Sequence, residues 1–434
     1  MYPPALQKTL KKNKISVGDR IRIMRGKTQW EGVLMPRTSG RPVWVLKLDN
    51  GYNVGIHAKG TRLGLLEKHP PPPVPLRQEK HRGDIAILGC GGTIASKVEY
   101  KTGAVYPAIS PEELRASFPQ LEKIATIHTQ QLFSILSEDM SVWHWKKMAE
   151  ACHNEIKEGV KGIVLMHGTD TMGYSSAALG FMLQDLPVPV VFVGAQRSSD
   201  RPSSDNEMNL LNAVYAAKQD FAEVSVCMHG TTDDSFAYLH RGVRVRKMHT
   251  SRRDAFQSIN ALPLAKVNHE QEKFEPLTEF KKRAATQLKL NTKMNENVAM
   301  IYIHPGIRPS LIQHLRKYDG VVLVATGLGH VPTNAFNDSH AQTILPEIKS
   351  LVQSGIPVVL APQPLHGRVN LSVYTAGRLL EETGVIGDGA DWLPETAFVK
   401  LMWVLGQTKN TKKVKGLMET DMAGELSTRS PLEQ

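Results

Sequence analysis

The sequence predicts an α/β chain of two lobes built on parallel sheets, preceded by a small antiparallel β-barrel. Three observations carry that expectation. From Lys14 to about His57, short β-branched and aromatic runs alternate with charge. A proline run, Pro70 to Pro73, then separates this zone from the rest of the chain. Beyond Gly83 the runs become wholly apolar and end in small or polar residues, with helix-like segments between several of them.

The N-terminal zone reads "KISVGDRIRI", "TQWEGVLM" and "PVWVLKLDNGYNVGI". Period-2 alternation predicts strands with one buried face, and Asn50-Gly51 is a strong hairpin signal. The segment "KHPPPPVPLRQEKHRGD" predicts an extended, semi-rigid connector. The barrel and its linker are therefore assigned to 1–75 and to about 83. After it, "DIAILGC", "GIVLMHG", "PVVFVGA" and "EVSVCMHG" read as buried parallel strands, and "SVWHWKKMAEACHNEIKEG" as a crossover helix. A charged stretch, "NHEQEKFEPLTEFKKRAATQLKLNTKMNENV", reads as a long linker between lobes. The strand pattern resumes with "AMIYIHPG", "GVVLVATGLGH" and "IPVVLAPQ". The first lobe is assigned to 84–290, the second to 291–408, and 409–434 to a loosely packed tail.

A chain of 434 residues with 41% hydrophobic and 22% charged residues has ample material for a buried core. No run of about 18 apolar residues exists to cross a membrane, and "MYPPALQKTLKKNKISVGDR" lacks the apolar segment of a signal peptide. Cys90, Cys152 and Cys227 have no CxxC spacing, which argues against a disulfide framework and against a zinc site. The expectation is a cytoplasmic protein without a metal. A net charge of +11 favours a polyanionic partner, although lysine-rich surfaces also serve solubility.

The glycine loop "AILGCGGTIASK" is neither common nucleotide loop. A dinucleotide fingerprint starting at Gly89 finds Ile94 where its last glycine belongs. "RGKT" at Arg25 to Thr28 has Ile21 in place of the leading glycine of a phosphate-binding loop. What remains is a strand, a turn, and Thr93 at the start of a helix, where it either caps the helix or acts as a nucleophile. Backbone N–H groups at such a position suit a developing oxyanion. A second strand end, "LMHGTDTMGYSSAAL", brings Thr169 and Asp170 before a helix of small residues. In "YLHRGVRVRKMHTSRRDAFQS", Lys247 follows a strand-like alternation. Asp170 and Lys247 polarise Thr169 or a water if the fold joins them; otherwise they are a helix cap and a solvated charge. His167 reads as structural rather than as a base, His366 carries no signal, and "VWHW" reads as core.

"GGTIAS", "HGTDTM" and this lysine, on an α/β pattern, resemble the L-asparaginase/glutaminase family of threonine amidohydrolases over about residues 84 to 408. The added N-terminal barrel resembles one branch, the glutaminase subunits of archaeal Glu-tRNA(Gln) amidotransferases. The resemblance implies a two-lobed asparaginase-like domain in which Thr93 is the nucleophile. It implies that Tyr106, more than Tyr100, assists proton transfer, and that Thr169, Asp170 and Lys247 form a second catalytic set. It places substrate binding at Ser137 and Glu138, where bacterial relatives have serine and glutamine, and a residue donated across a dimer interface near His330. It further implies that glutamine is hydrolysed and ammonia passed to a partner protein, GatE. That partner would use ATP and Mg2+ to convert Glu-tRNA(Gln), since this chain carries no synthetase or ATP-grasp signal and no cofactor of its own. A homodimer within a heterotetramer is implied as well. The alternatives are a free-standing asparaginase/glutaminase and a nucleic-acid-binding module on a degenerate scaffold.

Overall fold

The computed structural model describes residues 2–35, 42–48, 53–68, 83–92, 96–98, 105–107, 118, 120–197 and 204–429. The N-terminal domain begins with helix α1 (Pro4–Lys12), which buries Leu6 and Leu10 and leaves its lysines outside. Five antiparallel strands follow: β1 (Arg20–Arg25), β2 (Thr28–Leu34), β3 (Val43–Lys47), β4 (Asn53–His57) and β5 (Arg62–Glu67). Alternation buries Ile21, Ile23, Leu34, Trp44, Leu46 and Ile56 with the α1 leucines in one core. β3 and β4 pair as the hairpin signal requires, Lys47 facing Asn53; Asn50 and Gly51 themselves lie outside the described residues, as does the proline run.

The strand order is β4-β3-β2-β1-β5, an open sheet: among the described residues no ladder joins β4 to β5, so the expected barrel is not closed. The physical reason is the unforeseen helix. α1 covers apolar side chains that closure would otherwise have to bury, and Trp44 Nε1 spans the gap to Thr61 Oγ1 (2.9 Å).

The first lobe holds β6 (Ile85–Gly91), the small hairpin β7 (Ser96–Val98) and β8 (Val105–Pro107), α2 (Leu121–Ile124), β9 (Ile127–Ile135), α3 (Val142–Lys157), β10 (Gly162–Met166), α4 (Met172–Met182), β11 (Leu183–Gln184), β12 (Val190–Val193), α5 (Asn206–Ala217) and β13 (Val224–His229). The strands β9, β6, β10, β12 and β13 lie side by side and parallel; β6, β10, β12 and β13 are buried on both faces as their uniform apolarity requires, while β9, at the edge, is polar and partly exposed. Three more strands, β14 (Ala237–Arg241), β17 (Ala265–Asn268) and β18 (Lys273–Pro276), extend the sheet in antiparallel fashion. Only a short loop links β13 to β14, too little chain for a crossover, so the parallel pattern ends there. Between β14 and β17 in sequence, β15 (Val245–Lys247) and β16 (Phe256–Ser258) form a separate hairpin.

The charged linker is not free. Its Arg283 donates to the carbonyls of Lys161, Ala217 and Gln219, and β19 (Lys289–Leu290) pairs with β11. The second lobe has three parallel strands, β20 (Val298–Tyr302), β21 (Gly320–Ala325) and β22 (Val358–Pro362), with α6 (Pro309–Gln313), α7 (Leu345–Gln353) and α8 (Thr375–Glu381). Helix α9 (Pro394–Gln407) packs on α4 of the first lobe, with Trp403 beside Phe181, and one apolar core runs through both lobes.

The tail is packed, contrary to expectation. α10 (Thr411–Glu419) buries Val414 and Met418. Beyond it, Glu425 is fully buried and pairs with the equally buried Lys400 at 2.6 Å. Its carboxylate also accepts from the backbone N–H groups of Met422 and Ala423. This buried pair anchors the segment expected to be loose.

Candidate active site

The carboxyl ends of β6, β10 and β12 converge on one point, and glycines make the approach possible. Gly92 has φ +82°, and a Cβ there would overlap the Cα of Gly168. A Cβ at Gly168 would stand 2.6 Å from that of Ser137, and one at Gly194 would stand 2.9 Å from Thr169 Cγ2. Three strand ends and the turn carrying Ser137 are thus in backbone contact. This is where ligands bind in parallel α/β sheets.

Thr169 and Asp170 lie between β10 and α4, at the positive end of the helix dipole. Lys247, at the end of β15, donates from Nζ to Thr169 Oγ1 at 2.9 Å and to Asp170 Oδ1 at 2.7 Å. Thr169 and the lysine stem are largely covered, whereas the Asp170 side chain is 64% exposed. The cation therefore stabilises negative charge on a sheltered hydroxyl oxygen, while the carboxylate faces outward, toward any incoming cationic group. Asp170 is not a helix cap. Thr171 stands at that position, and its Oγ1 donates to the Ser137 carbonyl (2.7 Å), tying the turn that carries Ser137 to the α4 start. Ser137 is buried and Glu138 exposed on the same 3-10 turn.

The lysine strand is held from a distance. Gly173 lets α4 approach the Val245 carbonyl. Arg244, fully buried, donates to the Asp391 carbonyl at 3.0 Å, pairs with the Asp391 carboxylate and donates from Nε to the Gly424 carbonyl at 2.8 Å. Ser427 donates from its hydroxyl to the same carboxylate, and Thr396 Oγ1 donates to the Val243 carbonyl at 2.8 Å. Sequence reasoning missed this clamp entirely.

Thr93 lies outside the described residues, one peptide bond beyond Gly92; so does Tyr100. Tyr106 is described only in its backbone, in register with Lys97 across the β7–β8 hairpin. His167 is buried, its Nδ1 2.6 Å from the Gly168 carbonyl oxygen, and burial pushes its pKa down to about 4. A neutral, enclosed imidazole is a structural group, as expected. His330 closes a turn after β21 with its ring edge-on to Tyr374, and His366 is exposed. Of "VWHW", Trp145 is core and donates to Ser175 Oγ, whereas Trp143 is 55% exposed, which corrects half of that expectation. Gln196 and Arg197, which follow Gly194 past the end of β12, also went unread. Their backbone N–H groups are fixed by the buried carboxylate of Asp205 (2.9–3.1 Å). Among the described residues no cluster of three or more His, Cys, Asp or Glu could hold a metal. No helix among them is long and apolar enough to cross a membrane.

Two lobes with parallel sheets and a threonine–aspartate–lysine set at the strand ends define an asparaginase-type α/β protein. Residues 84–278 match the family "Asparaginase, N-terminal" and residues 297–418 the "Glutaminase/Asparaginase C-terminal domain". The thermostable L-asparaginase of Thermococcus kodakarensis superposes with a TM-score of 0.70 at 29% identity, covering 80% of this chain and 99% of its own. L-asparaginase I of Vibrio cholerae gives 0.69 at 29% identity, covering 80% and 100%. Residues 15–66 match the "GatD N-terminal domain". The D-type component of glutamyl-tRNA(Gln) amidotransferase (GatD) from Pyrococcus furiosus is 46% identical, covering 97% of both chains. Its counterpart in Methanothermobacter thermautotrophicus is 45% identical, covering 99% of this chain and 98% of its own. The chain belongs to the GatD family of glutamyl-tRNA(Gln) amidotransferase components.

Proposed function

We propose that this chain is the glutaminase subunit of a Glu-tRNA(Gln) amidotransferase and that Thr93 is its nucleophile. The Thr93 oxygen attacks the side-chain amide carbon of glutamine and gives up its proton, with Tyr106 assisting the transfer. The tetrahedral oxyanion is held by backbone N–H groups. The amide nitrogen takes a proton and leaves as ammonia, and a water then hydrolyses the acyl-threonine to glutamate. Thr169, Asp170 and Lys247 form the second set, which orients and polarises that chemistry. Asp170 and Glu138, both exposed carboxylates, receive the substrate ammonium, and Ser137 contributes to the same subsite.

The observation that carries this reading is the Lys247 ammonium, bonded at once to the Thr169 hydroxyl and the Asp170 carboxylate. The contact of Gly92 with Gly168 supports two threonines sharing one pocket. Named relatives matched over nearly their whole length support transamidation rather than free-standing hydrolysis. On this reading ammonia passes to GatE, which uses ATP and Mg2+ to amidate Glu-tRNA(Gln). This chain forms a homodimer within a cytoplasmic heterotetramer and needs no cofactor itself. The test is a glutaminase assay of the purified chain with and without GatE and Glu-tRNA(Gln). Glutamate release that requires Thr93 and Lys247 is the expected result; none in the loaded complex would overturn the reading.

A further inference from the structure

The charge of this chain is unevenly distributed. Residues 1–68 hold 14 Lys and Arg against 4 Asp and Glu, a net +10, where the whole chain carries +11. The remaining residues hold 39 against 38 and are nearly neutral. The basic segment coincides with the domain that lies outside both asparaginase segments. We propose that the N-terminal domain is an RNA-docking module that grips a phosphate backbone, that of the tRNA on which the complex works. The proposal rests on the transamidation reading above.

Two clusters present the charge. On α1, Lys8, Lys11 and Lys12 recur at the spacing of one helix face, exposed and opposite the buried Leu6 and Leu10, and exposed Lys14 follows. No carboxylate stands on that helix. At one end of the sheet, Arg25 and Lys27 flank Gly26 on the β1–β2 turn. The register Met24 to Arg62 sets Arg62 beside them, with Lys59 three residues earlier on the next turn. All four are exposed, and neither turn carries an acidic residue.

These cations stand on rigid supports. Thr61 Oγ1 accepts from Trp44 Nε1 and donates to the Ala58 carbonyl at 2.7 Å, which fixes the second turn. Two of the domain's four carboxylates are engaged: Asp19, buried, accepts from Lys68, and Glu31 pairs with Arg22 at 2.6 Å; Glu67 stands at the opposite end of the sheet, in register with Arg20. RNA fits this surface better than an acidic protein does. Protein interfaces deplete lysine and use aromatic anchors at their centres. Here eight of the fourteen cations are lysine, and among the described residues the large apolar side chains exposed on the domain are Met24, Leu65 and Leu66, none of them aromatic. Phosphate contacts need cations and little else.

The test uses the full chain and a labelled tRNA(Gln) transcript, titrated over a range of salt. One variant combines Arg25→Gln, Lys27→Gln, Lys59→Gln and Arg62→Gln; a second combines Lys8→Gln, Lys11→Gln and Lys12→Gln. Each is expected to raise Kd at least about tenfold near 0.1 M salt and to flatten the salt slope by about one per lost phosphate contact. The glutaminase rate of the isolated chain is expected to stay unchanged. Wild-type affinity and slope in both variants would overturn the proposal. So would unchanged RNA affinity with weakened association to GatE, which would mark the surface as a protein dock. Absence of glutaminase activity in the wild type, with these RNA losses intact, would sink the functional reading and leave this one standing.

Discussion

On the proposed assignment, replacing the Thr93 hydroxyl by a methyl group would remove the nucleophile at nearly constant volume. Thr93→Val is therefore expected to lower kcat for glutamine by about 10^3-fold or more with an unchanged melting temperature. Turnover near the wild-type value would assign the attack elsewhere, with Thr169 the next candidate. Lys247→Met keeps the stem and deletes the charge that Thr169 and Asp170 share, with an expected loss of about 10^2- to 10^3-fold in kcat. Two buried imidazoles make a separate statement about acid. Burial holds His167 to about 4 and His240 to about 3, below the ordinary value of 6.5. Both depressed values mean that the unfolded chain binds these protons first as pH falls, so the stability they contribute is present above about pH 6.5 and lost progressively below it. The melting temperature of His240→Gln is expected to fall less steeply between pH 6.5 and 4 than that of the wild type; identical slopes would remove His240 from the account. Thr169, Asp170 and Lys247 were legible in the sequence because each stands at the end of a recognisable run. Ser137 was found only through family likeness, because its approach to Gly168 is made by the folded backbone.

At the level of elements, strands were the most legible and their partners the least. Uniform apolarity announced β6, β10, β12 and β13, since a strand buried on both faces needs no polar alternation. The antiparallel extension through β14, β17 and β18 depends on loop length, which composition does not encode. The C-terminal segment was misread for a different reason: Lys400 and Glu425 reveal themselves only as a pair. Removing one partner strands a buried charge, so Glu425→Gln is expected to destabilise the protein by about 3–5 kcal/mol. The double change Lys400→Met with Glu425→Leu is expected to cost far less. Urea unfolding of the two variants decides the point, and equal losses would show that the charges themselves are not what matters.

For the whole molecule, the prolines between the two folding units predict that residues 80–434 fold alone and keep the glutaminase residues. Such a chain is expected to lose part of the tRNA-dependent function; full complementation of the complete system would refute this. A glutaminase component that hydrolysed glutamine freely would waste it. The segment "SKVEYKTGAVYPAIS" bears Tyr106 on the β7–β8 hairpin, lies otherwise outside the described residues, and has the glycine and polar composition of a lid. GatE plus Glu-tRNA(Gln) is accordingly expected to raise the glutaminase rate more than about tenfold, near 1.4 kcal/mol of barrier. Equal rates at saturating glutamine, with and without the loaded complex, would favour a free-standing enzyme. The Arg244 clamp has a consequence for biosynthesis. The strand that delivers Lys247 is held by Gly424 and Ser427, almost the last described residues to leave the ribosome. A nascent or prematurely terminated chain ending near residue 420 has every site residue and keeps Asp391 and Thr396, but lacks the Gly424 and Ser427 part of the fastening for one of them. Synthesised to that length, it is expected to be a poor glutaminase, so an unfinished copy releases little ammonia before any partner is there to receive it.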